Sequence, residues 1–171
     1  MSLRRRTRRL PHERPRLSLV LAVLAVELAG AAGAVFTAQG LASWYGTLQR
    51  PALAPPNWVF GPVWTTLFAL MGVAVWLVWR RLDAPRSERR ARVALGVFAL
   101  HFVANLTWSA VFFGLQSVTL GLAVIVVLIA LILLTMWSFD RVDRRAALLL
   151  VPYLLWTTFA AYLNYRFWLL N

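Results

Sequence analysis

The sequence contains no cysteine, and all eighteen of its basic residues are arginine. Without cysteine, disulfides and thiolate metal centres are excluded. Acidic residues are scarce, six in 171, and over long stretches charge is missing altogether. Val93 to Phe139 holds no Asp, Glu, Lys or Arg, which is room for two spans of about 20 residues and a tight turn. The usual catalytic constellations are missing too. There is no Ser–His–Asp set, no pair of carboxylates within one span, no phosphate-cradling glycine loop and no haem-type histidine pair. No catalytic residue and no resident cofactor is assigned.

Hydrophobic residues make up 61% of the chain and charged ones 14%, with a mean hydropathy of +0.68. A soluble domain is closer to half apolar and a quarter charged. Besides the long neutral stretch, Trp58–Trp79 and Ala146–Tyr165 read as spans, and Ser18–Ala38 is interrupted only by Glu27. The expectation is an all-α membrane protein, a bundle of five transmembrane helices near 18–38, 58–80, 93–114, 118–139 and 146–168. Residues 1–16 read as a basic cytoplasmic tail and 17–171 as one membrane domain. The leading stretch also has the ingredients of a signal peptide, but its apolar part is long for one and includes Glu27, so a retained first helix is expected.

The net charge of +12 raises the question of nucleic acid. Its distribution answers it, because the arginines hug the span ends and share no face. Seven precede the first span, six lie in Arg80–Arg92 and three in Arg141–Arg145; Arg50 and Arg166 alone fall on the other connections. This is the positive-inside pattern with the N-terminus in the cytoplasm and the C-terminus outside. A multi-pass protein of the bilayer, in a bacterial cell membrane, is expected. No nucleic-acid partner is expected.

Within the spans every strongly polar group needs a partner or a purpose. Glu27 could serve a proton relay or a ligand, or sit protonated in a hydrogen bond; the relay reading lacks a second carboxylate. His101, Asn105, Trp108 and Phe112 share one face of the third helix. Asn105 suits an interhelical hydrogen bond or a ligand's polar edge, and both uses stay open. His101 has no second ligand for a metal and reads as a packing or hydrogen-bonding histidine. Trp64, Phe68, Met71 and Val75 share a face of the second helix; Tyr153, Trp156, Phe159, Ala160 and Leu163 share one of the fifth. Such stripes are usually core, yet flat side chains around a gap also make a slot for a flat ligand. Ala25, Ala29 and Gly33 form a small-residue stripe that fits internal packing or a dimer seam. The stretch "WYGTLQRPALAPPNWVFGPVW", Trp44–Trp64, is stiff and apolar where a loop is normally polar and flexible.

The segments "WYGTLQRPALAPPNWVFGPVWTTLFALMG", "NLTWSAVFFG" and "PYLLWTTFAAYLN" resemble, in order and spacing, the translocator protein / tryptophan-rich sensory protein (TspO/MBR) family. The resemblance runs from about Trp44 to Leu170. It implies a five-helix bundle, often a homodimer, with a pocket for porphyrins such as protoporphyrin IX, sterols and benzodiazepine-type drugs. Carried across by motif, the pocket would be lined by Trp64, Phe68, Asn105, Trp108, Trp156, Phe159, Ala160 and Leu163. Trp44, Pro51, Leu53, Pro55 and Pro56 would form its lid. A proline-stiffened lid loses little entropy on closing over a ligand.

The sequence departs from the family in its lid, "RPALAPP", where Leu53 stands at a usual tryptophan position, and at Phe68, a frequent tyrosine position. In "LNYR" Arg166 follows Tyr165 directly, which breaks the cholesterol-recognition pattern, itself a weak one. The implied function is a receptor or carrier of haem-pathway tetrapyrroles. The alternatives are a light-dependent porphyrin-degrading enzyme, for which the loss at Leu53 is unfavourable, and a sterol or lipid transporter.

Overall fold

The computed structural model describes residues 10–171; arginines 4, 5, 6, 8 and 9 of the basic tail lie outside the described residues. The architecture is all-helical. α1 covers Pro15–Ser43, α2 Phe60–Trp79, α3 Glu88–Ser109, α4 Val118–Asp140, α5 Arg144–Leu148 and α6 Val151–Leu170. Short α5 and α6 together make the fifth span. Among the described residues five segments are long and apolar enough to cross a membrane: Pro15–Leu41, Asn57–Asp83, Glu88–Gly114, Val118–Asp140 and Arg144–Leu170.

Local sequence explains where the helices stop. Ser117 caps α4 by accepting the Leu120 N–H at 3.3 Å, and Asp143 caps α5 by accepting the Arg145 N–H at 3.1 Å. Pro152 has no N–H to donate toward Leu148, and the fifth span breaks there before resuming at Val151. At the end of α3 the ladder widens into a π-turn, Ala110–Gly114, with the Leu115 N–H reaching the Ala110 carbonyl at 2.8 Å. The reversal into α4 places Gln116 at φ 54°, a left-handed conformation unusual outside glycine and asparagine.

The spans form a ring in the order α1–α2–α6–α4–α3, antiparallel at every step except the closing α3–α1 pair, which runs parallel. Glycine sets how closely α1 approaches. A Cβ at Gly72 of α2 would lie 2.5 Å from the Val23 Cα, and one at Gly30 of α1 would lie 2.3 Å from the Phe68 ring. Polar clasps reinforce the contact: the Trp76 indole N–H donates to the Ser18 hydroxyl at 3.0 Å, and His12 Nε2 meets the Arg80 carbonyl oxygen at 2.9 Å. The small-residue stripe divides. Gly33 is buried against Leu106 and Ser109 of α3, whereas Ala25 and Ala29 face outward.

The core has two parts. Met71, Val78, Phe98, Phe102, Ile132, Phe139 and Tyr153 fill the arginine-rich half. Tyr45, Trp108, Phe112, Phe113, Ile125 and Phe167 fill the half under the first loop. At the arginine-rich end the Asp143 carboxylate pairs with Arg81 at 3.0 Å and Arg145 at 3.2 Å. The Arg145 hydrogen bond is the main cause that holds this carboxyl below its ordinary value, against the opposing effect of burial, with Arg81 adding to it.

Candidate functional site

A cavity of about 340 Å³ lies between α1, α2 and α3. Its α1 wall is nearly bare backbone: Gly30, Ala31, Gly33 and Ala34, with Glu27 and Thr37 at intervals. The opposite wall is aromatic. Phe60, Trp64 and Phe68 of α2 line it, with Asn105, Leu106 and Ser109 of α3. Trp64 leans against Phe68, ring centres 5.3 Å apart, and meets the Tyr153 ring edge-on at 6.2 Å.

Asn105 is buried and its amide donates to the Tyr153 hydroxyl at 2.9 Å. The interhelical hydrogen bond and the place on the cavity wall therefore belong to the same side chain. One turn deeper, His101 Nδ1 lies 3.1 Å from the Thr135 hydroxyl. That hydroxyl gives its own hydrogen to the Leu131 carbonyl at 2.8 Å, so the ring proton sits on Nδ1 and donates. His101 Nε2 is left as a buried acceptor with no partner among the described residues.

The sequence-predicted site residues do not all meet in one space. Trp64, Phe68 and Asn105 line the large cavity. Trp108, Ala160 and Leu163 instead surround a void of about 30 Å³ beneath the first loop, shared with Tyr45 and Phe112. Aromatic packing has closed this second space. Phe112 stacks on Trp108 at 5.2 Å, and Trp44 meets Phe112 edge-on at 5.5 Å. Trp156 lines neither space. It backs Phe60 at 6.2 Å and touches Phe159 at 5.7 Å.

In the loop itself Pro51 is buried, whereas Leu53 is 62% exposed and lines neither space. Arg50 staples the loop, donating to the Pro55 carbonyl at 3.2 Å and to Asn57 Oδ1 at 2.9 Å. Its guanidinium also lies 5.3 Å from the centre of the Tyr45 ring. Burial pushes the Tyr45 hydroxyl above its ordinary pKa, and Arg50 opposes that shift.

Sequence reasoning took Gly33 for a packing or dimer stripe and passed over Gly30, Ala31 and Ala34 of the α1 wall and also Asn164. The Trp108 indole donates to Asn164 Oδ1 at 3.3 Å, and the Asn164 amide donates to the Val118 carbonyl at 2.8 Å. A mid-span asparagine was the signal available.

The sequence model of the TspO/MBR family matches residues 22–169. This chain belongs to the TspO/MBR family. It is 44% identical over 155 residues to the tryptophan-rich protein TspO of Chlorobaculum tepidum, covering 91% of this chain and 96% of that one. It is 36% identical to the bovine (Bos taurus) translocator protein, over 82% of each chain. It is 38% identical to the tryptophan-rich sensory protein of Cereibacter sphaeroides, over 75% of this chain and 77% of that one. TspO/MBR membership and the five apolar helices together make it a multi-pass integral membrane protein.

Proposed function

We propose that this chain is a membrane receptor or carrier that binds porphyrins, and other flat hydrophobic ligands, in the cavity between α1, α2 and α3. The supporting observation is the cavity's asymmetry. The partly exposed Trp64 faces the glycine and alanine wall, while the buried Phe68 packs directly on Gly30 at one end of it, which leaves one aromatic face open for stacking. Asn105 supplies a polar edge, and Arg50 with Asn57 tethers the loop at the mouth. Sterols and benzodiazepine-type drugs are further ligands of the same apolar character. The arginine distribution supports an N-terminus in the cytoplasm and a C-terminus outside a bacterial cell membrane. The outward Ala25 and Ala29 support a homodimer seam along α1.

The test is a titration with protoporphyrin IX in the dark, followed by tryptophan fluorescence. Wild type should quench saturably. Trp64→Leu should weaken binding about tenfold, the equivalent of one lost stacking contact. Ala34→Phe, which fills the cavity from an exposed α1 position, should abolish it. Trp156→Phe should change affinity less than about threefold, because Trp156 stands behind Phe60. A loss in Trp156→Phe equal to that in Trp64→Leu would move the ligand to the α6 side. Illuminating the complex should return the porphyrin spectrum unchanged; bleaching would favour the degrading enzyme.

A further inference from the structure

A second solvent- and lipid-facing groove, of about 290 Å³, lies between α3 and α4 at the arginine-rich end. We infer that it holds the phosphate headgroup of an anionic phospholipid. The first turns of α3 give it Arg89, Arg90 and Val93; the last turn of α4 gives Trp137 and Ser138, and Arg141 follows directly. Three arginines therefore border one space whose lining includes no carboxylate.

The neighbouring arginines are differently placed. Arg92 pairs with Glu88, and Arg81 and Arg145 share Asp143. Among the described residues no carboxylate forms an ion pair with Arg89, Arg90 or Arg141. Their mutual repulsion calls for a counter-ion from outside the chain. Arg141 is pre-oriented for one: its guanidinium carbon lies 3.6 Å from the centre of the Trp137 ring. Stacking leaves the N–H fork at the edge free to grip phosphate oxygens.

The apolar part of the groove selects lipid over a dissolved anion. Val93 is 58% exposed and Trp137 54% exposed. Both sit within a turn of the arginines, where the apolar spans begin, so an acyl chain would run along them while the headgroup meets the guanidiniums. Basic pockets between spanning helices are suited to anionic headgroups for this reason. Zwitterionic lipids carry a cationic group into the same field and bind less well.

The experiment uses the full chain in phosphatidylcholine vesicles doped with dibrominated phosphatidylglycerol or dibrominated phosphatidylcholine. The part of tryptophan quenching lost in Trp137→Phe reports on the groove. Wild type should favour the brominated glycerol lipid by about fivefold or more. Arg89→Gln/Arg141→Gln should bring that preference close to parity. The charge-matched Arg86→Gln/Arg144→Gln, at exposed positions outside the groove, should keep it. All four positions are exposed, and helix content checked by circular dichroism should be unchanged. Equal quenching by the two lipids in wild type, or equal loss in both double variants, would overturn the assignment. Abolition by millimolar inorganic phosphate would also overturn it, in favour of a small-anion site.

Discussion

Two spaces inside this bundle are built from similar aromatics and come out differently. Between α1, α2 and α3, Trp64 and Phe68 border about 340 Å³. Beneath the first loop, Trp108, Phe112 and their neighbours border about 30 Å³. The difference lies in what faces the rings. In the first case it is Gly30, Gly33 and Ala34; in the second it is more rings, from Trp44, Tyr45, Phe113 and Phe167. Aromatic side chains supply a surface, and the small residues of α1 bound the volume beside it, although at Gly30 the Phe68 ring already rests on the backbone. In this protein α1 is also the helix least covered by the others.

Substitutions that exchange the two characters should have graded effects. Phe112→Ala removes the ring at the centre of the filled cluster and leaves a hole beside an existing void. The expected loss is about 3–5 kcal/mol of stability, read as a large fall in the thermal unfolding midpoint in detergent. A loss under 1 kcal/mol would mean that the cluster can collapse and is not tightly packed. Gly30→Ala works on the open side. Its new methyl group collides with the Phe68 ring, and moving that ring should cost about 1–3 kcal/mol and lower ligand affinity together with stability. Gly96→Ala has open space around it and should be neutral or slightly stabilising, which separates the collision from any general glycine effect. Tyr153→Phe has the smallest destabilising effect, about 0.6 kcal/mol by the measure of other buried hydrogen bonds between membrane helices. It takes away the acceptor of Asn105 at the boundary of the two halves, and altered porphyrin affinity would show that this bond also shapes the cavity.

The bundle was legible because charge is confined to the ends of the spans. Runs without charge located four of the helices, and a run broken only by Glu27 located the first. The first and fifth spans were read short at both ends and the third at its start for a physical reason: hydropathy follows the apolar part, whereas α3 begins at Glu88 and carries its arginines as helical residues in the interface. The break before Pro152 and the π-turn at Ala110 depend on backbone hydrogen bonds that no apolar pattern reports.

Faces of single helices were legible as well. His101, Asn105, Trp108 and Phe112 are all buried, as their spacing indicated. Which faces enclose space could not be read from spacing, because that depends on helix order and on the partner's side-chain size. Trp108 and Asn105 share a face, yet one looks into the filled cluster and the other onto the open cavity. The resemblance to TspO/MBR motifs supplied one set of lining residues; the arrangement seen divides that set between two spaces.

The last residue of the chain is tied to the first loop. Asn171 Oδ1 accepts the Gln49 N–H at 2.9 Å, and the Asn171 amide donates back to the Gln49 carbonyl at 3.3 Å. Gln49 adjoins Arg50, which holds Asn57 at the mouth of the large cavity. The Asn171 side chain is thus a latch on the loop at the mouth of the cavity. Asn171→Ala would release that latch, and ligand affinities measured on that variant would describe a loosened entrance.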